Sequence, residues 1–311
     1  VCITKDNTQL TVDGVLFFSS GWGKRLALVC GLTALALGGG AMLLTLFLGS
    51  KQPPPPVTFS YRDQVLTAID GLAVNRYGTE GFSTDPLGRV SYERDGLLAK
   101  AGIDVSFYQG EIDWQAVAAD GVDFALIRLG YRGYTEGGLF LDSFYKANIQ
   151  GALEAGLEVG VYFFSQAITP QEGMEEAQFV LDALADCDIT YPVVFDWEPI
   201  TPGNGARTDG LDGQTLTQCA VSFCRTIQEG GYQPMVYFNQ DQGYLTYDLT
   251  QLDQWPFWLA EYDQIPGFYY HFDFWQYTHT GTVAGIQGEV DWGSSLLLPD
   301  GWLLGCGSFL R

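Results

Sequence analysis

In the stretch YPVVFDWEPI, Tyr191 to Ile200, two acids close an apolar run with a tryptophan between them: Asp196 and Glu198. Residues i and i+2 of a strand face one way, with α-carbons ~6.6 Å apart. Two carboxyls that close oppose joint ionisation, so one of them keeps its proton above the ordinary range. Glu198 reads as a proton donor and Asp196 as its ionised partner, which is equipment for acid-catalysed cleavage of a polar bond. The competing structural reading makes both acids ion-pair partners of Arg128 or Arg207. Trp197, between them, faces the other way and belongs to the core.

The elements that must position these acids are legible from Ala101 onward. Eight apolar runs read as strands: GIDVS, VDFALIRLGY, EVGVYFFS, YPVVFDWE, QPMVYFN, PFWLAEY, FDFWQYT and QGEVDW. Between them FLDSFYKANIQGALEAG, TPQEGMEEAQFVLDAL and LTQCAVSFCRTIQEGG carry helical spacing, with Gly156 closing the first and Thr169-Pro170 opening the second. Strands alternating with helices predict an α/β fold with a parallel sheet, a modified (β/α) barrel of the TIM-barrel type. An open doubly wound sheet is the alternative, but no GxGxxG opens a helix after the first strand. In such a barrel the working groups sit at the C-terminal ends of strands. The polar residues there are Asp104, Arg128, Tyr162 with Ser165, Asp196 with Glu198, Tyr237 with Asn239, Glu261 with Tyr262, Gln276 and Asp291. Carboxyls converging with aromatic faces suit a sugar, whose pyranose ring stacks on the aromatics while the acids act.

Composition narrows the partners. The 311 residues carry 15 Lys+Arg against 37 Asp+Glu, a net charge of −22, which excludes nucleic acid as a partner because phosphate binding needs clustered cations. Six cysteines include no CxxC pair, and with two histidines, His271 and His279, neither a zinc site nor any other metal or cofactor is expected. Cys219 and Cys224 lie five apart in one predicted helix, a poor spacing for a mutual bridge.

Leu26 to Gly49 contains no charge and would be roughly 36 Å long as a helix, enough to cross a ~30 Å hydrocarbon core. Lys24 and Arg25 precede it, which places residues 1–25 in the cytoplasm, 26–49 in the membrane and the C-terminal part outside the cell. A cleaved signal peptide, which would leave the chain secreted, has a shorter apolar region. The four prolines Pro53–Pro56 start a linker or stalk over residues 50–100, with a short helix expected in DQVLTAIDGLAV. The catalytic domain is then 101–311.

GIDVSFYQGEIDW, the YFFS strand end, VVFDWE, FWLAEY, FWQYT and GEVDW together resemble glycoside hydrolase family 25, the lysozyme-type muramidases, in order and spacing from about Gly102 to Trp292. DxE alone occurs by chance in many chains; the ordered set is specific. The resemblance implies hydrolysis of the β-1,4 bond between N-acetylmuramic acid and N-acetylglucosamine in peptidoglycan. It makes Glu198 the general acid, Asp196 its partner carboxylate, Asp104 and Asp291 the outer acids and Tyr162 a site tyrosine. It leans to retention of configuration with the substrate's 2-acetamido group participating. Phe107-Tyr108-Gln109, where a tryptophan often precedes the glutamine, and Trp292-Gly293 after Asp291 depart from the family pattern. Two rivals stand beside this reading. One is a catalytically silent, membrane-tethered glycan-binding module, and the other a polysaccharide deacetylase, which would need a metal held by histidines.

Overall fold

Each of the eight apolar runs forms a strand. The computed structural model describes residues 55–201, 204–262 and 265–297, and the chain divides into two units, 1–67 and 68–311. In the first unit the described residues form one hairpin, β1 (Thr58–Tyr61) against β2 (Gln64–Thr67). The helix expected over Asp63–Val74 is therefore absent: Gln64–Thr67 pairs as a strand across a turn in which Arg62 takes φ +50°. Segments 1–25 and 26–49 lie outside the described residues, among which no helix is long and apolar enough to cross a membrane.

The second unit opens with a small antiparallel sheet of β3 (Phe82–Thr84), β4 (Val90–Arg94) and β5 (Leu97–Leu98). Asp95-Gly96 joins β4 to β5 with positive φ at both residues, the conformation a tight two-residue hairpin requires. The barrel strands follow: β6 (Lys100–Val105), β7 (Phe124–Arg132), β9 (Glu158–Ser165), β10 (Val193–Trp197), β11 (Pro234–Asn239), β12 (Phe257–Ala260), β13 (Phe274–Gly281) and β14 (Val290–Ser295). A short β8 (Leu139–Leu141) hangs antiparallel on β7, and the β6–β7 pairing closes the ring. Helices α1 (Trp114–Ala119), α2 (Tyr145–Glu154), α3 (Pro170–Leu184), α4 (Gly213–Glu229) and α5 (Gln240–Leu245) occupy the crossovers up to β12. Thr169 caps α3 by accepting from the Glu172 amide at 3.2 Å, as its Thr-Pro signature predicts. Cys219 and Cys224 are buried free thiols in α4, and Cys187 is also free.

The departure from a regular (β/α) barrel comes at its end. Strands β6, β7 and β9 through β13 run parallel, but β14 pairs antiparallel with both β13 and β6, so the last connection is a hairpin without a helix. Reversal carries the start of β14 to the rim formed by the ends of the others. Asp291 consequently sits beside Asp104 in register.

The small sheet packs on this closing seam. The Phe82 ring meets Trp275 edge-on at 5.6 Å, and the Arg89 guanidinium lies 4.6 Å from the centre of the Trp292 ring. Residues 68–100 are thus folded within the same unit as the barrel, rather than hanging as a stalk.

Candidate active site

Strand periodicity builds the site. Phe124, Leu126, Val194, Met235, Trp258 and Phe274 pack together inside the ring as its apolar floor. Two residues further along the same strands come Arg128, Asp196, Tyr237, Ala260 and Gln276, on the same inward face but at the mouth. Gly102, two before Asp104, leaves room in the floor: a Cβ there would lie 2.2 Å from the Phe124 ring. Above the floor opens a cavity of about 570 Å³.

Nine of the twelve residues expected at the mouth line this cavity: Asp104, Arg128, Tyr162, Asp196, Glu198, Tyr237, Tyr262, Gln276 and Asp291. Ser165 instead donates to Glu176 at 2.6 Å, and Asn239 caps α5 by accepting from the Gln242 amide at 3.0 Å. Glu261 does not line it either. Its carboxylate turns away to accept from the Gly267 and Phe268 amides at 2.8 and 3.1 Å. The reason is the two-residue period, since Trp258 and Ala260 face in, so Glu261 faces out and Tyr262 returns to the mouth.

Gln276 organises one wall. Its side-chain NH₂ donates to Asp104 Oδ2 at 2.8 Å, while its carbonyl accepts from the hydroxyls of Tyr237 (3.0 Å) and Tyr262 (3.1 Å). Burial pushes the Tyr237 hydroxyl well above its usual range, and Tyr262 up to about 12, so both remain neutral donors. Asp104 and Asp291 share a hydrogen bond. Burial foremost, and the Asp291 charge next, drive Asp104 well above the carboxylate range, which puts the shared proton on Asp104.

The DWE pair behaves differently from expectation. Glu198 is half-buried, and burial followed by the Asp291 charge raises it. Asp196, expected to stay ionised, is displaced further: it is 4% exposed, and burial, then the Glu198 charge, push it well above its usual range against the pull of Arg128. Its Oδ1 has no hydrogen-bond partner among the described residues. Desolvation outweighs neighbouring charge here, and spacing along a strand could not show that.

The two arginines are committed elsewhere. Arg207 binds Glu172 at 2.6 Å, and Arg128 Nε binds the fully buried carboxylate of Asp142 at 2.9 Å. Neither makes an ion pair with Asp196 or Glu198, although Arg128 stays near enough to lower Asp196. Asp142 went unnoticed in the sequence. It also accepts from the Phe107 amide at 3.0 Å, which ties the turn after β6 to Arg128, and the rings of Phe107 and Tyr108 lie 5.0 and 5.3 Å from the guanidinium. That turn is itself capped, Ser106 accepting from Tyr108 and the Gln109 side chain from Ser106. The sequence SFYQG after Asp104 thus sets an aromatic lip on the cavity. Tyr108 is 75% exposed there.

Trp258, inside the PFWLAEY run and absent from the strand-end residues, also lines the cavity, with Tyr237 edge-on at 4.7 Å and Tyr162 at 6.3 Å. Inward period from Ala260 was the signal. Two further glutamines fix the backbone that carries the acids. Gln166 donates to the Glu198 carbonyl at 3.0 Å and Gln242 to the Trp197 carbonyl at 2.6 Å.

The chain is similar to known proteins. The model of glycosyl hydrolases family 25 matches residues 103–286. Lysozyme M1 of Streptomyces globisporus is 28% identical over 200 residues, 61% of this chain and 65% of its own length. The autolytic lysozyme of Clostridium acetobutylicum is 28% identical over 199 residues, covering 61% of this chain and 54% of that protein. Among solved structures, the modular autolysin LytC of Streptococcus pneumoniae shares the fold with a TM-score of 0.53 at 24% identity, over 71% of this chain and 57% of that one. The chain spans less than two thirds of the length of each of these three. With more than half of its residues matched by the family model, this chain belongs to glycosyl hydrolase family 25.

Proposed function

We propose that this chain is a muramidase, cleaving the β-1,4 bond between N-acetylmuramic acid and N-acetylglucosamine in peptidoglycan. One observation carries the reading: four carboxyls from three strands line one aromatic-walled cavity, and burial raises all four. Glycoside cleavage needs a proton for the leaving oxygen and negative charge for the oxocarbenium-like centre. Glu198 serves as the general acid, since it combines access to the cavity with a raised pKa.

Asp196 is the orienting group. A bound sugar's acetamido N–H donates to the unpartnered Oδ1, and that hydrogen bond stabilises the carboxylate form. The proton that burial had favoured on Asp196 is then best held by Glu198, whose repulsion from the new charge raises it further. The carboxylate aims the acetamido oxygen at the anomeric carbon while Glu198 protonates the leaving oxygen. Water, deprotonated by Glu198, then opens the cyclic intermediate with net retention. Asp104, which gives its proton to Asp291, and the neutral Tyr237 and Tyr262, which give theirs to Gln276, leave oxygen lone pairs to accept hydrogen bonds from sugar hydroxyls without adding charge.

The relatives named as lysozymes support this substrate class. The uncharged 26–49 segment supports attachment to the outer face of the cell membrane as a single-pass anchor, with peptidoglycan strands as the partner. The test is mass spectrometry of fragments released from purified cell walls. Fragments ending in reducing N-acetylmuramic acid bear out the proposal; intact walls, reducing N-acetylglucosamine ends, or free stem peptides contradict it.

A further inference from the structure

A second cavity, of about 400 Å³, adjoins the first and shares Tyr262 with it. Its far wall is the small sheet β3–β5, which lies before the matched family segment that starts at residue 103. Thr84 and Leu87 of that sheet and its turn face Tyr277, Thr278 and Thr280 of β13. The β13 strand runs from Gln276 in the first cavity to Thr280 in the second, an extended path of ~13 Å. The two cavities therefore meet at Tyr262, which is 53% exposed, and the second ends on the small sheet.

The lining differs in chemistry from the mouth. No charged side chain contributes; three threonines and the rings of Tyr262 and Tyr277 lie beside the apolar Leu87 and Val90, with the Tyr277 hydroxyl itself buried. Hydroxyls and apolar patches match a pyranose with an acetamido group, which offers hydroxyls, an amide and a C–H face. A stem peptide, with its carboxylates and amines, finds no counter-charge there. The turn presenting Leu87 is held open by Asp85, which accepts from the Leu87 and Arg89 amides at 2.8 and 2.9 Å, and the sheet is anchored through Arg89 on Trp292.

We propose that the small sheet builds an accessory subsite for an uncharged N-acetylhexosamine unit of the same glycan strand, distant from the cleaved bond. The inference rests on the muramidase reading for the identity of the strand. Its test separates the two, because binding is measured on Glu198→Gln, which does not need turnover. Thr84 and Thr280 are exposed, so Thr84→Trp and Thr280→Trp fill the groove without touching the core. The probes are peptide-free peptidoglycan glycan strands of two lengths, disaccharides and long chains, with calorimetry as the readout. Each tryptophan is expected to weaken long-strand binding about tenfold, equivalent to ~1.4 kcal/mol, and to leave disaccharide binding unchanged. Equal affinity of the Thr84→Trp and parent proteins for long strands overturns the subsite. So does a loss seen only when stem peptides are attached, which would assign the groove to peptide. Binding that behaves as expected in a protein whose wild type cleaves nothing leaves the subsite standing and removes the hydrolase reading.

Discussion

Two sets of buried acids in this molecule meet opposite fates. Behind the barrel, Glu176 of α3 is fully buried, yet it accepts from Arg132 Nε at 2.7 Å and Ser165 Oγ at 2.6 Å. Arg132 gives its other donors to the Gly137 and Glu172 carbonyls. Burial lifts Glu176 to about 7, but its partners hold it down from going further. At the mouth, Asp196 is as deeply placed and has an oxygen with no partner among the described residues. Burial alone does not mark a working acid. What separates the two is that one network satisfies its carboxylate from within the protein, while the other leaves a lone pair for something that arrives.

Breaking the mouth should lower turnover while strengthening the fold. Asp196→Asn is expected to reduce kcat by about 10²–10³-fold, the scale for removing one oriented electrostatic group. Its effect on stability has the opposite sign. A carboxyl raised on folding gives its full stability below the unfolded value of 3.8 and loses it as pH rises toward the folded one. The amide has no proton to lose, so the variant gains Tm over the parent as pH climbs from 4 to 7, checked by thermal melts across that range. A Tm that falls at pH 7 would show that Asp196 is satisfied after all.

Breaking the other network should do the reverse. Arg132→Met strips Glu176 of its charged partner and is expected to destabilise the fold by about 3 kcal/mol in denaturant titrations, with kcat per folded molecule retained.

How much of this contrast could be read from the chain depends on which interaction decides each residue. The eight strands were legible because each is an apolar run ended by a polar residue, and Asp104, Asp196 and Glu198 followed from those ends. The reversal of β14 was not, since a period of two looks the same in both directions. Asp291 was picked as a strand-end acid and reaches the rim only because its strand starts there. Glu261 was misjudged although the counter-evidence, inward Trp258 and Ala260, stood in the same run. Asp142 and Gln276's triple role depend on partners 14 to 172 positions away, beyond any local pattern. The sheet at 82–98 reads as part of a stalk because its residues are rich in turn formers, and its packing on Trp275 and Trp292 is written nowhere nearby.

Titration sharpens the comparison next. Because the active pair holds a single proton, with Glu198 protonated and Asp196 ionised, kcat/KM is expected to be bell-shaped, falling about tenfold per pH unit on the acid side, where both acids are protonated, and on the alkaline side, where both are ionised. An alkaline limb already falling below pH 4.5 would place the essential proton on an unperturbed acid. The smallest effect belongs to Tyr262→Phe, which removes one neutral hydrogen bond to Gln276 and should cost about 1 kcal/mol, or roughly fivefold in kcat/KM.

The most direct measurement is the turnover of Glu198→Gln on purified cell walls, with circular dichroism and melting to verify that it is folded. Loss of the proton donor in an otherwise intact cavity predicts a kcat lower by about 10²–10⁴-fold, with native spectra and glycan binding kept. A folded Glu198→Gln that releases muropeptides at close to the parent rate would contradict the assignment of the acid and, with it, the account of why this barrel keeps its protons at the mouth.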